Sequence, residues 1–196
     1  MEFFNSTHFT TESIALSDEE AKAHELGKLN IPINELLFAK VKEEAIIPSR
    51  LIENAGYDLY ACFDEDYMVI QPHETKLIPL GIATAFPTWC GAIIKERSST
   101  GVKGMAVRAG VIDSGYRGEW KCAITNVNEK PLVITKESEE AIKALSDDYI
   151  VYPYSKAIAQ FILIPLASLT PKTISYDELL THVSSRGEGG FGSTNK

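Results

Sequence analysis

KLIPLGIATAFPTWCGAIIKE (Lys76–Glu96) is the stretch that decides the fold. It holds two β-rich apolar runs, KLIPLGIATAF and GAIIKE, and it breaks them with glycine and proline rather than with a helical segment. Outward from it the same punctuation continues. LLFAKV and YDLYA precede it, and EWKCAITN and IAQFILIPLA follow it. Short runs divided by Gly, Pro, Asn and Asp predict an antiparallel β-sandwich or barrel, not βαβ units. Residues 31–185 are therefore expected to be one all-β domain. Residues 1–30 read as an N-terminal extension, helical in part. Within it, LSDEEAKAHELGKL offers Ser17 as an N-cap, Glu20 three residues on, and Gly27 as a stop. A second helical patch, TKESEEAIKALSDD (Thr135–Asp148), reads as an insertion between two β-hairpins, spanning about 128–153.

Composition narrows the partners. A length of 196 residues suits one domain with its own core. The apolar run Ile158–Ala167 is far too short to span a bilayer, so no membrane is expected. MEFFNSTHFTTE has no basic region followed by an apolar stretch, which predicts no signal peptide. Cys62, Cys90 and Cys122 are odd in number and far apart in sequence, and each lies in an apolar context. They read as buried free thiols of a cytoplasmic protein. The net charge is −8, and the basic residues cluster only in short runs such as Lys40–Lys42, so a nucleic-acid polymer is not expected. A small anion is compatible with that charge, because it needs only a few arginines and a metal ion. His8, His24, His73 and His182 form no metal-ligand spacing.

Five stretches carry chemistry. In NAGYDLYA (Asn54–Ala61), Asp58 sits inside an aromatic strand, either as a hydrogen-bonded turn residue or as a charge held near a cation. KERSSTG (Lys95–Gly101) follows a strand with Arg97, Ser98 and Ser99, a fork and two hydroxyls suited to phosphate or a solvated turn. AGVIDSGYRG (Ala109–Gly118) runs from Gly110, Val111 and Ile112 into Asp113, then a glycine turn with Tyr116. It reads as a β-hairpin tipped by an acid, where backbone groups can read a base and Asp113 can take a proton from water, or as a turn without chemistry. Gln160 is the polar residue of SKAIAQFIL, so its amide needs a partner, in the protein or in a ligand. RGEGGFGSTNK (Arg186–Lys196) joins glycines to Arg186, Phe191, Gly192, Ser193 and Thr194. Close backbone approach, a fork, hydroxyls and a stacking ring suit a nucleotide, although flexible termini share this composition.

In this order the five stretches resemble the five motifs of the trimeric dUTPase family, from about Leu36 to Thr194. The third and fifth are the most specific. The resemblance implies a jelly-roll, β-barrel-like fold and a homotrimer with active sites shared between subunits. It implies hydrolysis of dUTP to dUMP and pyrophosphate with Mg²⁺, which limits uracil in DNA and supplies dUMP for dTMP synthesis. By the same resemblance, Asp113 would activate the attacking water and Asp58 would hold Mg²⁺ through water. Arg97, Ser98, Ser99 and Gln160 would contact phosphates, and the Gly110–Ile112 backbone would read uracil. Tyr116 would pack under the deoxyribose. Residues 186–196 would form a flexible lid, with Arg186, Gly192, Ser193 and Thr194 on the outer phosphates and Phe191 over the base.

Some positions depart from the family pattern. Ser155, Lys156 and Ala157 stand where Gly-Asp-Arg is usual, so the turn before Ile158 is expected to differ. Glu96 replaces a proline and is expected to point away from a phosphate or to pair with a lysine. The insertion is longer than in compact members. Some viral members carry added segments there that contact other proteins, which makes 128–153 a candidate protein-binding segment. Two rival functions share much of this pattern. A dCTP deaminase would need a catalytic glutamate near Ala123. A binding module without turnover would have no need to keep Asp113 together with the arginines and the tail.

Overall fold

GAIIKE falls within β6 (Cys90–Lys95), a strand paired along both edges. The computed structural model describes residues 35–138, 141, 144, 148–167 and 169–189. The proposed helix at Ser17–Gly27 and half of the Thr135–Asp148 helix lie outside the described residues. β6 is flanked by β12 (Ala159–Pro165) and β8 (Val111–Ile112), and β2 (Tyr57–Leu59) adds to the far edge of β12. The KLIPLGIATAF run divides at Leu80–Gly81 into β4 (Thr75–Pro79) and β5 (Ile82–Ala85), which join different sheets. Gly81 takes φ +66° there, a left-handed conformation that a side chain would strain. β5 pairs with β1 (Leu37–Lys40), while β4 pairs with β9 (Lys121–Asn126), whose other edge carries β7 (Met105–Arg108). The fourth sheet joins β3 (Tyr67–Ile70), β10 (Leu132–Thr135) and β11 (Ile150–Pro153). The fold is all-β, as the strand pattern predicts, and jelly-roll-like, as the family resemblance implies.

Phe161 on β12 is fully buried and gathers aromatic rings around it. Tyr57 stacks on it at 4.8 Å, and Trp120 meets it edge-on at 5.1 Å. Burial of one such side chain is worth ~1.5–3 kcal/mol, and the ring pairs add ~0.5–1.5 kcal/mol each.

Two expectations need correction. The insertion does not join two hairpins. β10 and β11 run parallel, with Ile134 opposite Tyr152, and residues 136–149 are the connection between them. A parallel pair cannot be closed by a tight turn, so a segment of this length is a topological requirement. The Ala109–Gly118 stretch is also not a two-stranded hairpin. β8 pairs with β6, and past the turn Trp120 bonds Ile82 and Leu80 instead, donating to the Ile82 carbonyl at 2.8 Å.

By its internal contacts the chain divides into two units, Met1–Leu166 and Ala167–Lys196, a different division from the 185/186 boundary suggested by composition. In the second unit Ser175 caps α2 (Tyr176–Leu180), its hydroxyl accepting from the Glu178 N–H at 3.1 Å. Among the described residues no helix is long and apolar enough to cross a membrane.

All three cysteines are free and buried. Burial pushes the Cys122 thiol from its ordinary 9.0 up to about 12, and the Glu96 charge adds to the rise. Burial raises Cys62 and Cys90 as well. Between those limits the folded Cys122 keeps a proton that the unfolded chain releases, so stability should fall as pH rises above about 9. At pH 8 the native protein should resist a thiol-specific disulfide reagent that labels all three cysteines in denaturant. Rapid labelling of the native protein would refute the buried-thiol reading.

Candidate active site

Strand register builds the site. Gln160 on β12 lies opposite Asp58 on β2 and opposite Lys95 on β6, so the three form one row across the sheet. β6 ends at Lys95, and two residues on the chain turns into α1 (Ser98–Val102). Arg97 sits at that corner, and its Nε donates to Asp58 Oδ1 at 2.9 Å. Its Nη1 reaches the Ala157 carbonyl at 3.3 Å. The corner is locked from inside by Thr100, which is fully buried. The Thr100 hydroxyl accepts from the Arg97 N–H and donates to the Arg97 carbonyl, both at 3.0 Å. A cleft of about 570 Å³ opens here, lined by Asp58, Arg97, Ser98, Ser99 and Gln160 together with the loop Glu53–Gly56.

Gln160 finds a partner inside the protein. Its Nε2 donates to the Glu96 carbonyl at 2.8 Å, and its amide packs so closely on Gly56 that a Cβ there would overlap it. The same side chain lines the cleft, so its two readings are compatible. Glu96 turns from the cleft toward β7. Its Oε1 accepts from the Val107 N–H at 2.7 Å, and its Oε2 pairs with Lys95 at 3.3 Å. Burial pushes the Glu96 carboxyl up, but the N–H groups of Glu96 and Val107 and the Lys95 ammonium outweigh it and hold it below its ordinary value.

Gly110, Val111, Ile112, Asp113 and Tyr116 do not line this cleft. The Gly110 carbonyl accepts from the Ile94 N–H at 2.7 Å, and a Cβ on Gly110 would stand 2.5 Å from the Ile94 carbonyl oxygen. Gly110→Ala should therefore force the two backbones apart and cost about 1–3 kcal/mol in denaturant unfolding. An unchanged midpoint would contradict the close approach. The turn after Ile112 is closed by the main chain, Tyr116 N–H to Asp113 carbonyl at 3.1 Å. The Asp113 side chain is exposed, and among the described residues nothing bonds its carboxylate. The Tyr116 ring lies over Gly118, and its hydroxyl donates to the Glu119 carbonyl at 3.0 Å. In the second unit, Arg186 Nε donates to the Gly189 carbonyl at 2.6 Å. Phe191, Gly192, Ser193 and Thr194 lie outside the described residues.

Residues 42–141 match the dUTPase family model. The deoxyuridine 5'-triphosphate nucleotidohydrolase of Neisseria meningitidis serogroup A is 37% identical over 146 residues, 72% of this chain and 81% of the relative. The chain belongs to the dUTPase family. The nucleotidohydrolase of Hydrogenobaculum is 34% identical, covering 81% of this chain and 96% of its own length. Among solved structures, a mutant dUTPase of Staphylococcus bacteriophage 80alpha with dUpNHpp superposes with TM-score 0.64 at 22% identity, covering 82% of this chain and 98% of that one. A mutant dUTPase of phage phi11 of S. aureus, described with a structural Mg(II) ion, gives 0.58 at 20%, covering 74% and 99%. At such identities these two likenesses speak for the fold.

One departure from the dUTPase pattern is now explained, and the deaminase alternative lacks its acid. The turn without Gly-Asp-Arg still closes, Lys156 N–H to Pro153 carbonyl at 3.1 Å, and Ile158 N–H still reaches the Leu59 carbonyl at 2.8 Å. Ala123 is buried on β9 between Leu77 and Arg108, with no carboxylate in its place. Sequence reasoning missed Glu53–Gly56 as cleft wall, and Thr100 and Tyr152 behind it. Asn54, Ala55 and Gly56 open the Asp58 stretch but were given no role of their own. Thr100 and Tyr152 had no sequence signal.

Proposed function

We propose that this chain hydrolyses dUTP to dUMP and pyrophosphate, with the triphosphate held in the Asp58–Arg97 cleft. The dUTP diphosphatase activity is that of its family. The observation that carries the reading is the cleft itself, where a guanidinium, two hydroxyls, an amide and a carboxylate converge from three stretches of chain. Arg97 binds phosphate oxygens as a fork, and Ser98, Ser99 and Gln160 add neutral donors. The backbone of Gly110–Ile112 reads the uracil edge, and Tyr116 packs against the deoxyribose. Asp113 takes the proton of the water that attacks phosphorus in line, and pyrophosphate leaves from the opposite side.

The donor set also fits Mg²⁺. Among the described residues no group of three or more His, Cys, Asp or Glu could hold a metal. A hydrated Mg²⁺ needs no such cage, because it is commonly bound through one or two carboxylates and the phosphates of the substrate. Asp58 would hold it through water, and bound there it would neutralise the charge developing on pyrophosphate.

Asp113 is exposed and does not line the cleft of its own chain. We therefore place it in a neighbour's site, in a homotrimer whose sites also receive the tail residues Arg186 and Phe191–Thr194. The 128–153 segment remains a candidate surface for another protein. The test incubates the chain with each deoxynucleoside triphosphate and Mg²⁺, measures pyrophosphate and ammonia, and weighs the particle in solution. Pyrophosphate from dUTP and a mass of three chains are expected. Ammonia from dCTP would transfer the chain to the deaminases. No product from any nucleotide would leave a binding module.

A further inference from the structure

Tyr152 has no place in the chemistry described so far, yet it stands directly behind the cleft. It is buried, with 2% of its surface exposed. β11 carries it to this position by pairing with β10, where Tyr152 lies opposite Ile134. Its hydroxyl donates to the Ala157 carbonyl at 2.7 Å. The same carbonyl receives Arg97 Nη1 at 3.3 Å. Burial, the largest influence, raises the phenol, while the nearby Arg97 charge opposes the rise. Tyr152 and Arg97 share one acceptor, and the phenol's proton is committed to it.

This arrangement has a consequence for the cleft. Arg97 is tied at Nε to Asp58 and at Nη1 to the Ala157 carbonyl, which the tyrosine hydroxyl also holds. A long side chain that lines an open cleft would otherwise lose rotamer freedom when substrate binds, and an ordered one has already met that cost. A phenylalanine at this position would fill the same space and leave the Ala157 carbonyl, the anchor of Arg97, without its hydroxyl donor.

We infer that Tyr152 is a positioning residue for the phosphate end of the site, acting through the Ala157 carbonyl and Arg97 without touching substrate. The inference rests on the cleft being the triphosphate site. It extends the site to a residue that reaches the reaction only through its neighbours.

The test uses the full chain with Tyr152→Phe, alone and combined with Arg97→Ala. For the single variant, KM for dUTP should rise about tenfold with kcat within about threefold, the scale of one hydrogen bond to a charged group. Inhibition by tripolyphosphate should weaken by a similar factor, and inhibition by deoxyuridine should not change. In the Arg97→Ala background the tyrosine substitution should add less than about twofold, because its effect runs through the missing guanidinium. Equal weakening of both inhibitors, or an undiminished effect beside Arg97→Ala, would overturn the inference. A Tyr152→Phe chain that fails to fold would also overturn it, since the hydroxyl would then serve stability. Absence of dUTP turnover in the unaltered chain would strike the functional reading alone. Tripolyphosphate binding, measured by calorimetry on the same variants, would still decide the role of Tyr152.

Discussion

Asp113→Asn is expected to lower kcat by about 10²–10⁴-fold while leaving fold, oligomer and nucleotide affinity in place. The size is that of a lost general base. The selectivity of the effect follows from the local geometry. Main-chain atoms close the turn, Tyr116 N–H to Asp113 carbonyl, so the carboxylate does not hold it. The side chain is exposed and unbonded among the described residues, so an isosteric amide should change stability by no more than about 0.5 kcal/mol. Single-turnover pyrophosphate release, with dUTP binding measured separately, distinguishes chemistry from affinity. A rate within about threefold of the unaltered chain would remove Asp113 from the mechanism.

The sequence made some parts of this molecule legible and hid others for identifiable reasons. GAIIKE and IAQFILIPLA announced β6 and β12, because runs rich in β-branched residues bounded by turns leave few alternatives. β3, β10 and β11 were missed. Each is four residues long, and β10 with β11 forms a parallel pair that depends on a distant partner rather than on local pattern. α1 was read as a turn because Ser98–Val102 holds poor helix formers. Its helical turn is enforced by the buried Thr100 hydroxyl bonding the Arg97 main chain, a tertiary effect.

The candidate site shows the same division. Asp58, Arg97, Ser98, Ser99 and Gln160 were legible by residue type, since charges and amides inside strand-like runs need a reason. Their meeting was not legible, because it depends on the register that sets Gln160 opposite Asp58. The Ala157 carbonyl and the Tyr152 hydroxyl could not be read at all. An alanine carbonyl has no signature in sequence, and a tyrosine in a strand reads as core. Glu96 looked like an intruder beside a phosphate. Its carboxylate instead ties the end of β6 to Val107.

Arg97→Ala is expected to lower kcat/KM by about 10²–10³-fold, the cost of removing one preorganised donor from a charged transition state. The substitution also leaves Asp58 without its 2.9 Å partner, so a negative charge would face the phosphates unopposed. Alone, this result cannot say whose Arg97 works with whose Asp113. Mixing can. Arg97→Ala and Asp113→Asn chains, each nearly inactive, are unfolded together and refolded at equal amounts. If each site takes its cleft from one subunit and its acid from another, half of the clefts keep Arg97 and half of the acids are intact, so about a quarter of the sites are whole. Activity should then return to about a quarter of the unaltered level, well above either parent. If cleft and acid of one site belonged to the same chain, every site would carry one defect and nothing would return. Mass-tagged subunits establish that exchange took place. Exchange without recovery would end the shared-site reading, and with it the reason an unpartnered carboxylate stands at the Asp113 turn.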